Sequence, residues 1–270
     1  MTLCITFGNR DGAITSVSDS RLTLDSPKGV KISNKAVKVQ IATHAHTMYA
    51  GSRYDIVFAI SGTLSLGLQS VMYVDACLQG VQGLWVDWMI PLVEQKLADF
   101  WGSAINKDVS YSIALRDHKS KARIFEWTGK ADGSGYSMEE VEERGGLLLS
   151  VTGEHAYEAK EEILHDVAKY SYDVEPEILL HYACLRTLLK YIDDENRDGV
   201  GGAVQGARLN GYEARYFVVK HLERRFLRSA ELEDWEIAEY PILDLDHPAL
   251  DLSRPLIDGI RAVGHAEVRR

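Results

Sequence analysis

Thr2 is the residue whose chemistry depends most on its place in the chain. Once Met1 is removed, one residue carries both a nucleophile and a base: the hydroxyl attacks while the α-amine accepts its proton. A free α-amine has a pKa of about 7.7–8.0, so it is partly neutral near physiological pH without burial. A small second residue such as Thr permits removal of Met1, although a Met-Thr start by itself is a weak motif. Other constellations suggest different chemistry. Asp194, Asn196 and Asp198 followed by Gly199 match the first half of a calcium loop, but the twelfth position is Gln205 rather than a bidentate Glu. His44 and His46 have no third ligand placed by spacing, and Asp244, Asp246, His247 and Asp251 fall in an irregular stretch. Cys4, Cys77 and Cys184 lie far apart with no CxxC pair, so neither a disulfide framework nor a zinc site is indicated. No metal or cofactor is expected.

The elements that would position Thr2 begin at once. Leu3, Ile5 and Phe7 alternate with Thr2, Cys4 and Thr6, and the polar Gly8 to Gly12 stretch leads into a second strand-like run from Ala13 to Ser18. Lys35 to Ile41 alternates again, with Val37, Val39 and Ile41 opposed to Ala36, Lys38 and Gln40, and Asp55 to Ile60 reads as a buried strand. Four strands are thus expected before any helix. Leu64, Leu68, Val71, Val74 and Leu78 then recur at helical spacing, followed by Met89, Val93, Leu97 and Phe100. Strands resume at Val109 to Leu115, Ala122 to Trp127 and Leu147 to Val151. Two more helices use Ala156, Ala159, Ile163 and Val167, then Ile178, Tyr182, Leu185, Leu189 and Ile192, the second starting near Pro176. Final strands are expected at Gly202 to Leu209 and Ala214 to His221. This order fits antiparallel sheets covered by helices on their outer faces. Residues 231–270 are acidic, hold three of the six prolines and read as an extension.

Composition narrows the function classes. With 270 residues and 46% hydrophobic content the chain can bury a substantial core. A net charge of −10 disfavours nucleic-acid and anionic-membrane partners, because neutralising phosphates requires surplus Lys and Arg, and the basic residues are scattered, with a short cluster at Arg224 and Arg225. No apolar run reaches membrane-spanning length, the first residues are too short for a signal-peptide core, and the cysteines suit a reducing compartment, so a cytoplasmic location is expected.

The segment Ser18-Asp19-Ser20-Arg21-Leu22-Thr23 resembles the part of proteasome β subunits and of HslV that supplies a buried aspartate and a substrate-binding threonine, with Asp19 and Thr23 in those places. Val37-Lys38-Val39 resembles the strand of the catalytic lysine, and Ser61-Gly62-Thr63 resembles the segment whose glycine amide forms the oxyanion hole. The opening Met1-Thr2-Leu3-Cys4 resembles Anbu, a bacterial proteasome relative. Four such segments in order, on elements of the right type, form a more specific combination than any one of them.

The resemblance implies an α+β fold, a four-layer αββα sandwich of the N-terminal-nucleophile hydrolases over residues 1–230, with residues 231–270 as a C-terminal extension. It implies Thr2 as nucleophile, Lys38 as the cation favouring the alkoxide and depressing the amine pKa, Asp19 holding Lys38 charged, and the Gly62 N–H as oxyanion donor. Lys35 is a second lysine candidate if the alignment slips. Leu22, Ala36, Ile60 and Leu64 would line a specificity pocket for a small or apolar side chain. The family's later Gly-Ser-Gly appears as Val151-Thr152-Gly153, so Thr152 would replace the auxiliary serine, and Asp198 would be the auxiliary aspartate displaced by one position. The implied activity is threonine-type peptide hydrolysis in a homo-oligomeric ring or helical assembly, acting on peptides or unfolded protein with an ATP-dependent unfoldase as partner. An amidohydrolase acting on non-peptide amides and a noncatalytic assembly subunit are the alternatives.

Overall fold

The structure is a computed structural model that describes residues 2–24, 31–33, 38–46, 52–81, 86–102, 109–129, 135–170, 176–194, 199–201, 204–227 and 230–240. The chain opens with β1 (Leu3–Asn9) and β2 (Ile14–Asp19), followed by the short β3 (Leu22–Leu24) and β4 (Lys31–Ser33). Next come β5 (Val39–His46) and β6 (Ser52–Gly62), then helices α1 (Leu64–Gly80) and α2 (Val86–Trp101). Strands β7 (Val109–Arg116), β8 (Ala122–Gly129), β9 (Tyr136–Glu140) and β10 (Leu147–Gly153) lead to α3 (Ala156–Tyr170) and α4 (Pro176–Asp193). The described chain finishes with β11 (Val204–Asn210), β12 (Glu213–Leu227) and β13 (Ala230–Tyr240).

Alternation along β1 explains how this sequence divides its core. Leu3, Ile5 and Phe7 pack with Ile163 of α3 and Leu180, Leu185 and Leu188 of α4, whereas Cys4 faces the other way into a cluster with Val39, Val57 and Ala59. Helices α1 and α2 lay their own apolar stripes, Val71, Val74, Leu78, Val93 and Leu97, on Phe58, Ile60 and Tyr111 of the five-stranded sheet. Each such fully buried aliphatic side chain contributes about 1.5–3 kcal/mol relative to exposure. An aromatic group anchors that cluster: Trp127 stacks on Tyr136 at 3.8 Å, and Trp101 donates its indole N–H to the Tyr111 hydroxyl at 3.2 Å.

The expected four-layer αββα sandwich with a C-terminal extension is corrected by the topology. The described residues form a six-stranded sheet in the order β10-β1-β2-β11-β12-β13, a five-stranded sheet in the order β5-β6-β7-β8-β9 and a separate two-stranded sheet, β3-β4. The sheets are antiparallel and unequal, and among the described residues β3 and β4 pair only with each other. Two physical facts account for the difference. Six strands, not four, precede the first helix, because β3 and β4 are three residues each and too short to show a period. The acidic segment after residue 230 pairs along β12, from Leu227↔Ala230 to Tyr216↔Tyr240, and so prolongs the six-stranded sheet.

Candidate functional site

Asp19 ends β2 and is fully buried, as is Lys38 immediately before β5. The Lys38 ammonium donates to Asp19 Oδ2 at 3.0 Å, with both side chains at 0% exposure. Three backbone N–H groups converge on the same carboxylate: Leu3 donates to Oδ1 at 3.1 Å, and Arg21 and Gly201 donate to Oδ2 at 3.1 and 3.2 Å. A buried charge pair survives only when its remaining lone pairs are occupied in this way. Burial pushes the Lys38 ammonium below the ordinary lysine range, opposed by the Asp19 charge beside it. Burial likewise raises the Asp19 carboxyl, opposed by Lys38 and by the Leu3 and Gly201 N–H groups.

The Leu3 bond ties this pair to the start of β1. Thr2 is 3% exposed, and its carbonyl accepts from Glu154 N at 2.8 Å. Gly153 packs so closely on that carbonyl, at φ +101°, that a Cβ there would overlap the Thr2 oxygen and would come within 3.1 Å of the Ser61 side chain. The Ser61-Gly62 end of β6 is thereby brought beside Thr2. Gly62 has φ +92°, and Thr63 follows as N-cap of α1 without a side-chain capping bond or an acidic residue in the first turn. Gly62 thus ends β6 one residue before the N-cap of a 17-residue helix, next to the positive end of its dipole. Lys38 joins the same strand through its carbonyl, which accepts from Ile60 N at 2.9 Å.

Thr2, Asp19, Lys38 and Gly62 are thus gathered by β1, β2, β5 and β6, although they span the first 62 residues of the sequence. Thr152, opposite Cys4 on β10, is 5% exposed, and its hydroxyl has no partner among the described residues. Ile60 and Leu64 both belong to the core under α1, with Gly67 of that helix seated directly on Ile60. Leu22 and Thr23 lie on β3, whose side chains fall outside what is described; Lys35, Ala36 and Asp198 lie outside the described residues altogether. His44 uses Nδ1 on the Leu78 carbonyl at 2.9 Å. Burial raises the Cys4 thiol far above the ordinary cysteine range, and its Sγ lies 3.4 Å from the Ile60 carbonyl, so it is a packed thiol.

Several parts of this arrangement are not visible in the sequence. The Leu3 and Gly201 amides on Asp19 are backbone groups, and no side-chain motif marks them. Gly201 also accepts from Ser20 N and Arg21 N at 3.2 and 2.8 Å, and a Cβ there would overlap the Arg21 guanidinium. The glycine pair at 201–202 was the available signal.

No protein-family model matches the chain, and no curated protein matches it. Among solved structures, a Gly-1 mutant of Anbu from Hyphomicrobium sp. strain MC1 is similar over 97% of this chain and 96% of its own, with a TM-score of 0.57 and 11% identity. At that identity the likeness is one of fold alone. The chain has a proteasome-like fold. Among the described residues, no helix is long and apolar enough to cross a membrane.

Proposed function

We propose that this chain is an amide hydrolase of the N-terminal-nucleophile type, a threonine peptidase subunit in which Thr2 attacks after Met1 has been removed. The observation that carries the reading is the fully buried Lys38–Asp19 pair bonded through Leu3 N to the residue next to Thr2. A cation that costs so much to bury is poorly explained as packing, because replacing such a pair by apolar residues is often neutral or stabilising. In this reading Lys38 favours the Thr2 alkoxide and lowers the pKa of the α-amine, which takes the hydroxyl proton and returns it to the leaving amine. Asp19 keeps Lys38 charged and oriented. The Gly62 N–H, at the head of α1, faces the charge that develops on the carbonyl oxygen. The α-amine of Thr2 is free only once Met1 is gone, so in this reading processing precedes chemistry.

The same reading assigns peptides or unfolded protein as substrate, a homo-oligomeric ring or helical assembly, and an ATP-dependent unfoldase as partner. Intact mass spectrometry should find Met1 absent from the purified protein, and a threonine-directed covalent probe should label the wild type. Thr2→Ala should lose labelling and at least roughly a thousandfold in turnover, and Lys38→Ala roughly a hundredfold or more with the fold retained. Retained Met1 would point to the noncatalytic assembly role. Hydrolysis of small amides without hydrolysis of peptides would point to the amidohydrolase.

A further inference from the structure

The layer between the two large sheets changes character along its length. Near the β1–β2 turn it is closed by Ile14, Val57, Ala114, Ile124, Leu148 and Leu209. Toward Thr2 the same strand faces carry polar groups. Side chains alternate along a strand, so Ser112 shares its face with Ala114, Glu126 with Ile124, and Ser150 and Thr152 with Leu148. Ser112 and Ser150 are 0% exposed and Thr152 is 5% exposed. Their three hydroxyl oxygens, and Glu126 Oε1, have no hydrogen-bond partner among the described residues.

Topology sets the order of these groups. At one end of β10, Gly153 touches Thr2 and Ser61 of β6. At the other end, Leu147 and Leu149 share a cleft of about 250 Å³ with Glu126 of β8. Strand β7 lies between β6 and β8 and carries Ser112 in register with Ala59 on one side and Glu126 on the other. β10 packs against β6, β7 and β8, and Ser150 is its middle residue. The unpartnered oxygens run in sequence from the cleft to the surroundings of Thr2.

Buried polar groups are satisfied by protein or by ordered water, and a site for water needs room and two or more polar partners. We propose that this path holds internal water: a file bridging Glu126, Ser112, Ser150 and Thr152 that connects the cleft with the Thr2 end of the inter-sheet layer. Its use, though not its existence, rests on the Thr2 reading. There it supplies the hydrolytic molecule: the water oxygen bonds to the acyl carbon and the ester bond to Thr2 Oγ1 breaks. One water proton passes through the α-amine to that oxygen, and the acid product leaves with the remaining O–H.

The test counts long-lived internal water in the full chain by oxygen-17 magnetic relaxation dispersion, in the wild type and in Ser112→Ala and Ser150→Ala. Each substitution removes one atom, so the fold is retained, and circular dichroism checks this. The wild type should show a dispersion whose amplitude falls in each variant, together with a lowered Tm. An amplitude unchanged in both variants would overturn the proposal. A Tm that stays level or rises would agree with that outcome, because deleting a dry, unbonded hydroxyl is neutral or stabilising. If the wild type turns over substrate, Ser150→Ala should slow deacylation several-fold and leave the acylation burst intact. If the wild type turns over nothing, the Thr2 reading fails while the water count still decides the file.

Discussion

His181 stands on α4 with its ring 5.2 Å from that of Phe7, edge to face, and its Nε2 is buried without a partner among the described residues. Burial, reinforced by the Arg208 charge, lowers its pKa to about 4. In the unfolded chain the imidazole takes up a proton near its ordinary 6.5, whereas the native chain refuses it until about 4. The neutral ring therefore contributes stability that is fully present above about pH 6.5 and is lost as pH falls toward 4, on the order of 3 kcal/mol. Urea melts at pH 7 and pH 4.5 should show a larger loss for the wild type than for His181→Phe, and equal losses would show that the ring is not held neutral. Nothing in the sequence singles out His181, whose burial is a product of α4 docking on β1. Asp19 and Lys38 were legible because their residue types are rare inside a core and their order matched a known pattern; their 3.0 Å contact was not, since 19 residues separate them.

At the scale of elements, apolar period was a good guide wherever a strand or helix buried one face. The stripe Leu64, Val71, Val74 and Leu78 is the buried face of α1. It failed where burial was slight or the strand short. β9 carries two glutamates in five residues and is only half-buried or exposed at a sheet edge, and β13 mixes its apolar residues with acidic ones on both faces. Lys38 was expected inside a strand from Lys35 to Ile41, but β5 starts at Val39, so Lys38 occupies the strand entrance where its side chain turns to Asp19. Gly153 tests how tightly β10 holds β1. Gly153→Ala adds a left-handed backbone penalty and an overlap with the Thr2 carbonyl, whereas Gly211→Ala, at φ +60° with open space around it, adds only the first. Thermal melts should place Gly153→Ala several degrees below Gly211→Ala; similar Tm values would mean that β10 shifts freely past Thr2.

For the whole molecule, charge opposes the proposed assembly. Two copies at −10 repel, and salt shortens the reach of that repulsion to about 8 Å at physiological strength. The proposed assembly therefore predicts a sedimentation mass that is a multiple of the single-chain mass and rises as salt is raised from low to physiological concentration. A single-chain mass throughout would remove the assembly from the proposed function. The order of strands across the six-stranded sheet has another consequence. β1 sits between β10 and β2, and β2 pairs on its far side with β11, so the first hairpin made is flanked on both sides by strands made much later. The Asp19 carboxylate likewise waits for Gly201, 182 residues downstream. A chain is made from its amino terminus onward, so β1 and the Asp19–Lys38 pair emerge before the strand and the amide that complete their surroundings. The surroundings of Thr2 are complete only once β10 and Gly201 have been made, so under the proposed function removal of Met1 would come before completion of the site.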